Sequence, residues 1–359
     1  MKRYLYMILV AATLVAAICG QCAAQTVVLR DAPELKFPSP TDCNSPCHWD
    51  GSAMYLFNSA GQPSRSEGAD QFHLSKTTRS EYDTKGDGGR WIECTWRNDD
   101  GVLYGWYHNE PRGLCPGTRL TAPKIGAVRS TDNGLHWTDL GIVLESRPNT
   151  LQCSAKNGFF ASGNGDFCCM LSKDKKTMYL FISVYAGDVT EQGVAIARMA
   201  WKDRDKPVGK VRKYFKGEWN EPGVGGWVTP TFPAKIDWKR RNADAFWGPS
   251  VHWNTHLKKY VMLLNRTAYK PGWPQEGVYV SYSEDLGDPM SWTLPKKILN
   301  GGGWYPEAVG VNAAAKETDK LMGKQARFYM SGVSRHEIIF FKDGEDTTKL
   351  SPVYTTGSR

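Results

Sequence analysis

Between residues 44 and 342 the chain alternates short apolar runs with charged or Gly/Pro-containing turns, and one phrase recurs five times. A polar opening leads into a short strand, a charged turn follows, and an aromatic-aliphatic strand closes the unit. The copies are NSPCHWDGSAMYLFNS (44–59), WIECTWRNDDGVLYGWYH (91–108), GDFCCMLSKDKKTMYLFISVY (165–185), GPSVHWNTHLKKYVMLLNR (248–266), and WYPEAVGV (304–311) with ARFYMSG (326–332). Each predicts a hairpin, with β-prone residues on both sides of a turn such as Asp50-Gly51 or Asn254-Thr255-His256. A third strand is predicted in KIGAVRS (124–130), GVAIARMAW (193–201), GVYVSYS (277–283) and HEIIFFK (336–342).

Repeated four-stranded units arranged radially protect their sheet edges by closing into a propeller. The predicted fold is therefore all-β, one five-bladed propeller of antiparallel blades over residues 25–359. STDNGLHW (130–137) and SEDLGDPMSW (283–292) read as Asp-box turns, where the Asp caps its own turn and the Trp packs between blades. No catalytic role is expected of them.

Lys2 and Arg3 precede an apolar run from Met7 to Cys19, and Cys22-Ala23-Ala24 offers a cleavage site, so residues 1–24 read as a secretory signal peptide. The run is shorter than the ~20 residues of a spanning helix, so no membrane anchor is expected and the destination is the periplasm or the exterior. Loss of Lys2 and Arg3 takes the formal charge from +8 to +6. The remaining Lys and Arg are dispersed among acids, which excludes a nucleic-acid surface. Seven of nine cysteines remain. Cys43, Cys47, Cys94, Cys168 and Cys169 read as small buried side chains, and Cys115 with Cys153, both in loops, as the expected disulfide.

The loops opposite the charged hairpin turns are long, and loops on a rigid scaffold are where binding residues gather. They carry His108, Glu110 and Arg112, then Asp188 and Glu191, then Arg266 and Trp273, then Arg335 and His336. On the same face the repeat places Asp42, Glu93, Asp166 and Glu307 around the axis. Converging carboxylates push their pKa values apart, so that one stays an acid while another stays a base, as glycoside cleavage requires. These four are the catalytic candidates. His108, Glu110, Trp91, Trp247, Arg266, Trp304, Tyr305 and His336 are the substrate-binding candidates, the aromatics by stacking on a sugar ring. No cofactor is expected, although the axis has room for a structural cation. The expected partner is a carbohydrate, and the expected state a monomer.

On these phrases the chain resembles the five-bladed propeller glycosidases, particularly the arabinanase and xylosidase group. Gly165-Asp166-Phe167 matches that group's blade-three Asp, and Trp91-Ile92-Glu93 resembles its blade-two opening. Two phrases depart from it. Ser45-Pro46 stands where blade one should read Asp-Pro, with Asp42 as the nearby substitute, and Trp247-Gly248-Pro249 leaves blade four without its acid Glu. By GWYHNEP, GNGDF, FWGPSVHWNTH and WYPEAVG the chain looks more like a bacterial branch of the propeller glycosidases than like a standard arabinanase. The resemblance implies an exported glycoside hydrolase acting on a plant or microbial oligo- or polysaccharide, inverting, with Glu93 or Glu307 replacing the missing acid. A sugar-binding propeller without catalysis, a sialidase-like enzyme built on Arg112, Arg266 and Arg335, and a glycoside phosphorylase are the alternatives.

Overall fold

The computed structural model describes residues 25–268, 270 and 273–355; the signal peptide expected over residues 1–24 lies outside them. Five sheets surround one axis, a five-bladed β-propeller. Blade one is built from Cys47–Asp50, Ala53–Ser59, Pro63–Gly68 and Leu74–Arg79. Blade two runs Gly88–Arg97, Leu103–Pro111, Lys124–Ser130 and His136–Leu144, and blade three Asn164–Leu171, Thr177–Val184 and Gly193–Ala200, with a further hairpin at Arg212–Phe215 and Glu218–Pro222. Blade four is Phe246–Asn254, Lys259–Thr267, Gln275–Ser283 and Lys296–Asn300. Every predicted hairpin and third strand is present.

Blade five closes the ring in a way the local pattern does not announce. Its inner strands are Pro306–Gly310, Gln325–Met330 and Val333–Phe341, but its outermost strand is Thr26–Lys36 from the other end of the chain. Thr26 pairs with Phe341 and Asp31 with His336. The first strand thereby locks the last blade.

Both faces of a blade are buried by its neighbours, which is why the strands read as nearly continuous apolar runs. Along Thr177–Val184, Met178, Leu180 and Ile182 join the core shared with blade two, while Tyr179 and Phe181 join the core shared with blade four. Three more seams are filled the same way. In the 130–137 turn, Asp132 Oδ1 accepts from the backbone N–H groups of Leu135 and His136, and Trp137 lies 5.7 Å from Phe57 of blade one.

The cysteines need one correction. Cys94 and Cys169, expected as independent buried thiols, form a disulfide between the inner strands of blades two and three, with Cα atoms 5.8 Å apart. Cys43, Cys47 and Cys168 are free and buried. Cys115–Cys153 is the second disulfide and ties the 112–123 loop to the 145–163 loop. Replacing both Cys115 and Cys153 by Ala is expected to cost about 2 kcal/mol, because the reduced chain regains loop entropy when unfolded. Urea unfolding of the double variant beside the parent, both without reductant so that Cys94–Cys169 stays closed, would measure it.

Candidate active site

In blades two, three and four the inner strand slips register where it nears the axis, between Ile92 and Cys94, between Gly165 and Phe167, and between Trp247 and Ser250. A bulge inserts one unpaired residue and re-aims its side chain. The inserted residues are Glu93 in blade two and Asp166 in blade three. Asp166 has φ +40°, a left-handed backbone that costs a non-glycine residue free energy and is found at functional positions. In blade four the slip falls at Gly248-Pro249, so that blade contributes no carboxylate.

Glu93 and Asp166 meet at His108, carried by the second strand of blade two opposite Trp91. His108 Nδ1 lies 3.1 Å from Glu93 Oε1 and 3.7 Å from Asp166 Oδ1, and Nε2 lies 3.4 Å from Glu110 Oε1. Gly165 makes room for the ring, since a Cβ there would stand 2.6 Å from His108 Cε1. The other Glu93 oxygen accepts from Phe167 N–H at 2.7 Å. Asp166 accepts from the hydroxyls of Tyr185 and, at 3.2 Å, Tyr305. Nδ1 also lies 3.1 Å from Asp166 N–H, and one nitrogen cannot serve both neighbours. With Nδ1 unprotonated, His108 accepts from Asp166 N–H; with Nδ1 protonated, as it is in the charged ring, it donates to Glu93.

Charge decides between those states. Burial alone would lower the His108 pKa, but Glu110 and Glu93 outweigh it and hold the imidazole well above the usual histidine range. Burial and the Glu93 charge push Asp166 up to about 7 although His108 opposes the shift. The ligand atoms of Glu93, His108 and Asp166 lie within 4.8 Å of one another, so these are the residues that could hold a cation. The imidazolium supplies positive charge at that spot itself.

Above this buried group lie the two carboxylates that reach solvent. Glu110 keeps 31% of its side-chain exposure and, with Trp91 and Arg112, lines a cavity of about 360 Å³. Asp42 is exposed; the protein packed around it, then the Glu110 and Glu93 charges, push it up to about 6. Trp91 tilts over His108 with centroids 5.5 Å apart. The structure therefore gathers Asp42, Trp91, Glu93, His108, Glu110 and Asp166 at one end of the axis.

Glu307 is sealed deeper. Its Oε2 accepts from Ser45 N–H at 2.7 Å, Oε1 has no partner among the described residues, and burial pushes it up to about 8. Folding therefore favours its protonated form, whose stabilising contribution is complete below the unfolded pKa near 4.5 and is lost as pH rises through 8. Glu307→Gln should match the parent within about 1 kcal/mol near pH 4.5 and exceed it by more than about 1 kcal/mol at pH 8. Urea melts at the two pH values would show it.

Trp247, Trp304 and Tyr305 pack with Trp273, Tyr185 and Phe160 into an aromatic group beside the carboxylates. Trp247 is fully buried and donates to Gln275 Oε1 at 3.0 Å, whereas Trp304 is half-buried beside the exposed Phe159. Two candidates leave the site. Arg266 is held by both oxygens of Asp244 at 2.8 and 2.9 Å and lies over Phe246. His336 lies not at the mouth of a loop but well inside the strand Val333–Phe341, where it faces Asp31 of the outermost strand at 3.4 Å. Arg335 pairs with Glu34, so it and Arg266 have carboxylate partners of their own. Tyr185, Phe159 and Phe160 were missed by sequence reasoning; the aromatic doublet in NGFF was the available signal.

No family model and no curated protein matches this chain. Solved structures do match in fold. A thermostable family-43 glycoside hydrolase superposes with a TM-score of 0.51 at 12% identity, over 90% of this chain and 100% of that one. The α-L-arabinanase of Cellvibrio cellulosa gives 0.50 at 12%, over 87% and 95%. An exo-β-1,3-galactanase from Phanerochaete chrysosporium gives 0.48 at 12% over 89% of this chain, which spans 64% of that protein. The chain is thus a distant structural match to the five-bladed propeller glycosidases.

Proposed function

We propose that this chain is an exported glycoside hydrolase whose reacting groups are Asp42 and Glu110. The observation that carries the reading is the buried cluster of His108 with Glu93 and Asp166, beneath the solvent-reaching Glu110, with the exposed Asp42 within range of the Glu110 and Glu93 charges that help push it up. The fold shared with a family-43 hydrolase supports it.

Asp42, held up to about 6, is the proton donor. Its proton passes to the glycosidic oxygen as the C1–O bond breaks; a water oxygen bonds to C1, and the proton it sheds passes to Glu110. The first product is then the inverted anomer, which proton NMR would identify. Trp91 offers a face to the sugar, while Glu93 and Asp166 position His108 rather than touch substrate.

A second reading, a sugar-binding propeller without turnover, is favoured by one feature: Glu93, Asp166 and Glu307 are all engaged and buried. Incubating the purified protein with plant and microbial polysaccharides and aryl glycosides separates the two. Release of reducing sugar, abolished in Glu110→Gln, supports hydrolysis; glycan binding without release supports the second reading.

A further inference from the structure

The opposite end of the axis has the opposite charge. There the hairpin turns and the 311–324 segment border an open cavity of about 400 Å³, within the size range of small-molecule sites. Its lining holds Arg97, Lys173, Lys175, Lys316 and Lys320 and no Asp or Glu. Three half-buried tryptophans, Trp49, Trp96 and Trp253, form apolar walls.

Three of the cations are neutralised from outside the lining: Arg97 by Asp50 at 2.8 Å, Lys175 by Asp99 at 2.7 Å, and Lys320 by Asp319. Lys173 and Lys316 have no carboxylate partner among the described residues. Lys173 Nζ instead sits 3.4 Å from the Trp253 ring centroid, and Lys316 Nζ 4.3 Å from that of Trp49 while donating to Gly51 O at 2.8 Å. Two lining residues also keep buried polar atoms without a partner among the described residues, His48 Nδ1 and Thr95 Oγ1.

We propose that this cavity binds a small ring-shaped molecule bearing a carboxylate. The ring lies against Trp96, the one of the three indoles with no cation over it among the described residues, and the carboxylate takes the two ammonium groups, held over Trp253 and Trp49, that lack a protein anion. A neutral sugar would leave both charges uncompensated. The site does not depend on the hydrolase reading, since it lies on the other face and shares no residue with it.

Calorimetric titration of the full mature chain tests the proposal, using glucuronate and galacturonate as sugar acids, benzoate as an aromatic acid, and glucose and sulfate as neutral and ringless controls. One class of ring carboxylate is expected to bind at least about tenfold more tightly than glucose and sulfate, and the preferred class identifies the source. Lys173→Gln and Lys316→Gln, both at exposed positions, should each weaken that binding about tenfold and leave circular dichroism and any glycan hydrolysis unchanged. Equal binding of glucose, equal competition by sulfate, no effect of either substitution, or no heat from any ring carboxylate up to about 10 mM would each overturn it.

Discussion

Asp42→Asn is expected to lower kcat on a glycan substrate by about 10² to 10⁴-fold, the usual worth of a positioned proton donor, while KM changes little. The amide keeps the size of the side chain, and the Asp42 backbone N–H still bonds Ser59 O at 2.8 Å, so the backbone there keeps its place. The proton is what is lost. A leaving group that departs without protonation, such as a dinitrophenolate, should therefore recover most of the rate, and an alkyl leaving group almost none. The parent enzyme should also lose kcat/KM as pH rises through about 6, where Asp42 gives up its proton, and the variant should lack that limb. Equal losses on both leaving groups would remove Asp42 from the proton-donor role.

What could be read from the sequence, and what could not, divides along the range of the interactions. Blades were legible because their determinants are local: the Met178/Tyr179/Leu180/Phe181 alternation and the Asp50-Gly51 turn each specify a hairpin within a few residues. Closure of the ring was not, because Thr26–Lys36 finds its partner some three hundred residues away and carries charges suited to an edge. The Cys94–Cys169 bond joins strands of different blades across 75 residues, and spacing carries no trace of it.

The site divides the same way. Glu93 and Asp166 could be placed near the axis from the repeat, but the register slips that turn them toward His108 are backbone events with no residue signature. Arg266 was misplaced because Asp244, its partner, lies in the preceding loop rather than across the axis. His336 was misplaced because the third strand of blade five begins at Val333, so the residue falls inside a strand instead of a loop.

His108→Leu should show how the buried cluster is held. Leucine fills similar space but removes the positive charge facing Glu93, Asp166 and Glu110, and stripping one partner from a buried ion group typically costs about 3–5 kcal/mol. The cost must depend on pH. Asp166 already has a folded pKa of about 7, above its unfolded value near 4, and Glu93 is shifted in the same direction. For such groups the stabilising contribution is complete below the unfolded pKa and disappears as pH rises through the folded one. Without the imidazolium both folded values rise further, so the variant should approach the parent near pH 4 to 5 and fall steadily behind between pH 6 and 8. Adding Asp166→Asn to His108→Leu removes one unpaired charge and should restore part of the loss at pH 8 but little at pH 5. Urea melts of the parent, the two single variants and the double variant at both pH values complete the cycle, and a deficit independent of pH would mean that packing rather than charge makes His108 indispensable.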